Sequence, residues 1–206
     1  MRPLPRLFAF TDDAVCQRDA YGIQAAAIAS AGSAVAIVVR APQTPTARRA
    51  DLLERTLALV TPPEAAAFAH GDPALGRAYG AAGVQLRGSD LPAAEARRIL
   101  PNGWVGVSVH SHEEARRALA EGAHYLVAGN VFQTTSHPGR PAQGLEWLAA
   151  LAQLEAPVVA IGGMTPPRAV QAQRAGAWGV AAISALWDAP DPAGAAAAFL
   201  EPWSDA

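Results

Sequence analysis

The chain has 206 residues, of which 50 are alanine and 16 arginine, and it contains no lysine. Without a lysine amine, Schiff-base aldolase chemistry, pyridoxal-phosphate chemistry and a Walker-type phosphate loop are excluded. A net charge of −2 and a pI of about 6.2 give no electrostatic reason to expect a nucleic acid or an anionic membrane as partner.

In chain order, short β-branched runs predict strands at residues 7–11, 34–40, 65–70, 83–87, 104–110, 125–131, 158–162 and 179–184. Alanine-, leucine- and arginine-rich segments between them predict helices, among them 47–60, 93–100, 113–121 and 145–154. The first unit opens without the long apolar stretch of a signal peptide and meets Asp12 and Asp13 early. Its single cysteine, Cys16, rules out an intrachain disulfide and fits a reducing compartment. Residues 24–39 are the longest weakly apolar stretch, too rich in Ala, Ser and Gly for a membrane span. A cytoplasmic location is therefore expected. The third strand is alanine-rich, so helix competes there by propensity. Ser111 and Glu114 form a capping box at the start of the sixth unit's helix. Gly122 and Gly176 sit where helices end, and Pro166 and Pro167 where one begins. Strands alternating with helices at this spacing predict a parallel (β/α)8 TIM barrel, with an open doubly wound sheet as the alternative. No composition shift divides the chain, and residues 1–206 are expected to form a single domain.

Barrel chemistry sits at the carboxyl ends of the strands. Arg40, His70, Arg87, Ser108, His110, Asn130, Gly162, Gly163 and Ser184 fall there. His124 starts its strand and reads as structural, and His112 reads as solvated in a first helical turn. Gly162 and Gly163 let backbone N–H groups approach a ligand closely, and the loops after strands seven and eight are where barrels hold phosphate. Gly162, Gly163, Ile183 and Ser184 are thus phosphate candidates. His110 closes strand five facing the mouth, while Asn130 and Thr134, Thr135 and Ser136 offer neutral donors and acceptors after strand six. No metal-ligand spacing is present, and no metal or other cofactor is expected.

Two stretches, VSVHSHEEARRALAEGAHYLVAGNVFQTTSHPG and PVVAIGGMTPPRAVQAQRAGAWGVAAISAL, resemble the TenI and thiamine phosphate synthase superfamily. The resemblance runs from about His70 to Asp191 and implies the same barrel fold. It also implies a role in thiamine biosynthesis, with a small-molecule thiazole phosphate as ligand. The oligomeric state stays open, a homo-oligomer included.

The synthase branch joins a pyrimidine pyrophosphate to a thiazole phosphate. Its pattern carries QLREK after strand two, an Asn-Asp pair after strand three, an aspartate after strand four and a pyrophosphate-binding lysine. Here only Arg40 remains of the first motif, His70 and Gly71 replace the pair, Asp90 fits the aspartate, and His137 stands for the lysine. On that basis the resemblance points to the TenI branch, a thiazole tautomerase (an isomerase) moving a proton on a carboxylated thiazole phosphate. Arg40 would clamp the carboxylate, and Ser108, Thr134, Ser136, Gly162, Gly163, Ile183 and Ser184 would bind substrate and phosphate. Asn130 occupies the position of that branch's catalytic histidine, which impairs the activity. His110, ahead of His70 and His137, is the expected substitute base. The alternatives are a non-catalytic thiazole-phosphate-binding or regulatory protein and, ranked last, thiamine phosphate synthase.

Overall fold

The computed structural model describes residues 3–60, 64–134 and 141–204. Strands β1 (Leu7–Phe10), β2 (Val35–Val39), β3 (Ala66–His70), β4 (Gly83–Leu86), β5 (Trp104–Val109), β6 (Tyr125–Ala128), β7 (Val158–Ile161) and β8 (Gly179–Ala182) close in sequence order into one parallel barrel. Closure is made by Leu7 pairing with Val180. The chain is a (β/α)8 barrel, as its strand spacing predicts, and the open sheet is set aside. The third segment is strand despite its alanines, because it is buried between β2 and β4.

The helices are α1 (Asp13–Cys16), α2 (Tyr21–Ala29), α3 (Thr46–Val60), α4 (Pro73–Tyr79), α5 (Ala93–Ile99), α6 (His112–Ala120), α7 (Gly144–Ala152), α8 (Pro166–Arg174), α9 (Ser184–Trp187) and α10 (Pro192–Leu200). Their starts follow local chemistry. Asp12, Asp72, Ser111 and Asp191 each accept a backbone N–H in the first turn of the helix that follows. Pro166 and Pro167 occupy the first turn of α8, where a missing N–H costs nothing. Gly122 and Gly176 end α6 and α8 at φ +89° and +91°. The capping box at α6 is not reciprocal. Ser111 Oγ accepts from Glu114 N at 3.1 Å, but the Glu114 carboxylate accepts from His110 N at 2.7 Å. No helix among the described residues is long and apolar enough to cross a membrane.

Alternation along each strand sorts two cores. Leu7, Ala9, Ile37 and Val39 face the helices, whereas Phe8, Phe10, Ala36 and Val38 face the barrel interior. The interior is plugged low down by Phe8, Phe68 and Tyr125, with ring centroids 5.4–6.4 Å apart. Gly106 makes that plug possible: a Cβ there would lie 2.5 Å from Gln85 Oε1 and collide with the Tyr125 ring. Beneath the plug, Arg6 stacks 3.5 Å over the Trp178 ring, whose indole N–H donates to Pro5 O at 3.1 Å. His124 leads into β6 at this same end, and its Nδ1 accepts from Val105 N at 2.9 Å, a structural bond.

Candidate active site

The strands place two groups of side chains around the open mouth. On one side are the residues after β2, β3 and β4. Val39 pairs with Ala69, so the next residues, Arg40 and His70, stand level at the two strand ends. Thr11, fully buried just beyond β1, holds Arg40 by its backbone. The Thr11 hydroxyl donates to Arg40 O and accepts from Arg40 N, both at 2.8 Å. His70 lies edge-on to Phe10, with ring centroids 6.4 Å apart. Burial, reinforced by Arg40 and then by Arg87 and Arg49 against an opposing pull from Asp90, lowers its pKa to about 4. His70 is therefore neutral at pH 7 and sits in a positive field.

Asp90 is committed. Its carboxylate accepts Arg87 Nη2 at 2.8 Å and Nε at 3.1 Å through Oδ1, and Arg87 N at 2.8 Å through Oδ2. The side chain of Asp90 is 8% exposed, that of Arg87 56%. Gly71, at φ +71°, abuts this pair, since a Cβ there would lie 3.3 Å from Asp90 Oδ2.

The next part of the mouth is polar and neutral. Gln85, fully buried inside β4, donates from Nε2 to Ser108 Oγ at 3.0 Å. With its oxygen accepting that bond, the Ser108 hydroxyl keeps its own proton to donate elsewhere. His110 lies against Gly129, where an added Cβ would fall 2.6 Å from Nδ1. Its backbone is pinned on both sides, by Glu114 on N–H and by Gln143 Nε2 on its carbonyl at 2.8 Å.

Asn130 leaves β6 in the left-handed region at φ 61° and is 8% exposed. Its Nδ2 donates to Pro141 O at 2.7 Å and its carbonyl accepts from Gln143 N at 2.9 Å. Asn130 thus ties the loop after β6 to the start of α7. The His70 ring packs against Phe10 of the barrel interior and the His110 ring against Gly129, while the Asn130 amide nitrogen is taken up by this tie. Thr134 is half-buried in the same loop, and the candidates Ser136, Thr135 and His137 lie outside the described residues.

On the far side of the mouth, β7 and β8 end level, because Ile161 pairs with Ala181. Gly162 and Gly163 follow at φ 107° and 59°. Neither tolerates a side chain. A Cβ on Gly162 would lie 2.7 Å from Asn130 Cα, and one on Gly163 would lie 3.1 Å from Arg168 Nη1. Arg168 braces this turn, donating to Gly163 O at 2.5 Å while its guanidinium lies 4.7 Å from the Phe132 ring centre. Ile183 and Ser184 open α9, whose first N–H groups have no intrahelical acceptor. The four phosphate candidates are thus brought together at one rim.

Thr11, Gln85, Arg49 and Arg168 are additions to the sequence-based set. Gln85 and Thr11 leave one signal in the sequence: a polar residue at an inward or terminal position of an otherwise apolar strand.

Resemblance to the synthase branch implies a magnesium ion near Gly71 and Asp90. The residues present do not fit one. Magnesium is held by carboxylate and phosphate oxygens. Here Gly71 offers no side chain, and Asp90 is already spent on Arg87. Among the described residues no group of three or more His, Cys, Asp or Glu could hold a metal.

The family model described as thiamine monophosphate synthase (TMP-TENI) matches residues 7–186. The chain is 40% identical over 175 residues to a thiamine-phosphate synthase of Thermus thermophilus, covering 84% of each. It is 38% identical over 205 residues to that of Salinispora tropica, covering 98% of each. In structure it is similar to the thiamine phosphate pyrophosphorylase of Pyrococcus furiosus, with TM-score 0.80, 30% identity, and 96% and 94% of the two chains covered. These relatives overturn the expectation that ranked the tautomerase first and the synthase last. That ranking leaned on the missing lysine and the missing Asn-Asp pair, which show what one sequence pattern lacks and not which other cations the fold brings to the mouth. With a matching barrel, a matching family model over most of its length and relatives at this identity, the chain belongs to the TMP-TENI family of thiamine biosynthesis.

Proposed function

We propose that the protein makes thiamine phosphate by joining a pyrimidine pyrophosphate to a thiazole phosphate. The observation that carries this reading is the presence of two anion-receiving walls at one mouth. Arginines stand after β2 and β4, and the glycine cradle stands after β7 with the start of α9 after β8. In a ring of eight strands these walls lie about opposite one another. Two substrates that each bring a phosphate need two such walls. Relatives named for this synthesis support the same assignment.

The chemistry asked of the site is a displacement. The thiazole nitrogen forms a bond to the pyrimidine methylene carbon, the C–O bond to pyrophosphate breaks, and the leaving oxygen takes the electron pair. Negative charge grows on the leaving group, so fixed cations there lower the barrier. Arg40, held by Thr11, and Arg87, held by Asp90, are suited to bidentate contact with phosphate oxygens. His70, neutral, adds a hydrogen-bonding group without competing for the anion as a charge. Ser108 donates its proton towards the reacting rings, and the cradle of Gly162, Gly163, Ile183 and Ser184 takes the thiazole phosphate.

The test is direct. The protein is mixed with both substrates, with and without magnesium, and thiamine phosphate is followed by oxidation to its fluorescent thiochrome. Product that scales with protein concentration is expected. No product above buffer in either condition, with both substrates shown to bind, refutes the proposal.

A further inference from the structure

The geometry points to a diphosphate seat that works without a divalent metal, built from the guanidinium groups of Arg40, Arg49 and Arg87 around His70. This inference rests on the synthase reading and concerns how that reading's leaving group is held.

Three observations carry it. First, the place where a second carboxylate would share a cation with Asp90 is Gly71, and Gly71 already abuts the Asp90 carboxylate. Second, Asp90 is turned into a holder for an arginine. It engages one edge of the Arg87 guanidinium, and the remaining N–H donors stay available to a ligand. Third, Arg40 and Arg49 form no ion pair with any acid among the described residues. Arg49 lies in the first turn of α3, its Nη2 donates to the Thr46 hydroxyl at 2.9 Å, and its buried Nε has no hydrogen-bond partner among the described residues. A buried guanidinium nitrogen left so is costly unless a ligand completes it.

Arg40 stands level with His70 at the neighbouring strand end, Asp90 abuts Gly71 next to His70, and the charges of Arg40, Asp90, Arg87 and Arg49 all act on the His70 imidazole. Three guanidinium groups against one carboxylate leave the cluster net positive. A magnesium ion placed there would meet that positive field with a single, already engaged carboxylate. A diphosphate would meet planar forks that match its oxygens in pairs. In the transfer step the C–O bond breaks, the oxygen keeps the electron pair, and the charge that a metal would absorb falls on arginines instead. No further reactant is needed.

The experiment is calorimetric titration of inorganic pyrophosphate into the full chain, once in excess EDTA and once in excess magnesium chloride. Affinity in EDTA should be equal to or better than that in magnesium. Arg40→Gln and Arg49→Gln should each weaken it by about tenfold or more, as expected for loss of a charge-assisted contact. Both side chains are only partly buried, and circular dichroism melts verify that the variants fold. Binding that vanishes in EDTA and returns with magnesium overturns the inference, as does unchanged affinity in both variants. The parent reading fails separately. Metal-free pyrophosphate binding with no thiamine phosphate formed keeps the seat and refutes the synthase, whereas magnesium-dependent binding with product formed refutes the seat alone.

Discussion

Replacing Thr11 by valine removes one hydroxyl from the junction of β1 and β2. That hydroxyl is saturated: it donates to Arg40 O and accepts from Arg40 N, each at 2.8 Å, and accepts from the Cys16 thiol at 3.3 Å. Valine keeps the shape and the strand preference of threonine but can neither donate nor accept. Two backbone groups of Arg40 then lose their partner. A buried polar group left unpaired costs about 1–3 kcal/mol. Arg40 is half-buried, so water recovers part of the loss and about 2 kcal/mol in total is expected. For a chain of this size each kcal/mol moves the Tm by about 2–4 °C, which gives a fall of about 4–8 °C. Thr11→Ser keeps the hydroxyl and should lose less than half of that. Because Arg40 is aimed by this anchor, pyrophosphate affinity should also drop about three- to tenfold in Thr11→Val. Thermal melts and pyrophosphate titration measure the two effects. A Tm within about 1 °C of wild type together with unchanged affinity would refute the anchoring argument.

Three further outcomes are expected. Gly106→Ala drives a methyl into the Tyr125 ring and the Gln85 amide, and overpacking of this kind costs about 1–3 kcal/mol. Adding Tyr125→Leu should return part of the lost Tm, and no recovery would place the clash elsewhere. His70 has a folded pKa of about 4 against an ordinary 6.5, so the unfolded chain binds more protons between those values. Its contribution to stability is therefore complete above pH 6.5 and lost as the pH falls towards about 4. His70→Gln should flatten the stability curve in that window in urea titrations, and an unchanged slope contradicts the burial argument. Arg168→Met removes the brace on Gly163 O and should raise the KM for thiazole phosphate about three- to tenfold with little change in kcat. A fall in kcat alone would assign Arg168 a different role.

The barrel was legible because its strands are buried on both faces, and runs such as Val35–Val39 therefore read as continuous apolar stretches. Helices α2 and α10 were much less legible. Both are alanine-rich, as in Gly22–Ala29 and Ala193–Phe199, and lack the polar stripe that marks an amphipathic helix. At the site, the glycine pair and the strand-end positions of Arg40, His70 and His110 could be read from spacing alone. What could not be read is who holds whom. Gln85 sits in a strand that alternation alone leaves ambiguous, and only closure of the barrel turns it inward to Ser108. Glu114 looks like half of a capping box until its carboxylate is found on His110 N. Asn130 reads as a damaged base because its neighbours in sequence suggest one, while its left-handed backbone and its bond to Pro141 give it a loop-tying part. The lysine deficit misled for a related reason. Composition shows which cation is missing but not which cations the fold gathers in its place.

The stacked rings of Phe8, Phe68 and Tyr125, with Arg6 and Trp178 beneath them, make the barrel a cup rather than a tube. Under the proposed synthase function, two reactants and two products would share this one doorway. The substrate that seats deeper has to enter first and its remains leave last, so traffic through the mouth imposes an order on the catalytic cycle. A molecule that merely spans the rim, touching neither wall, would block entry and exit together.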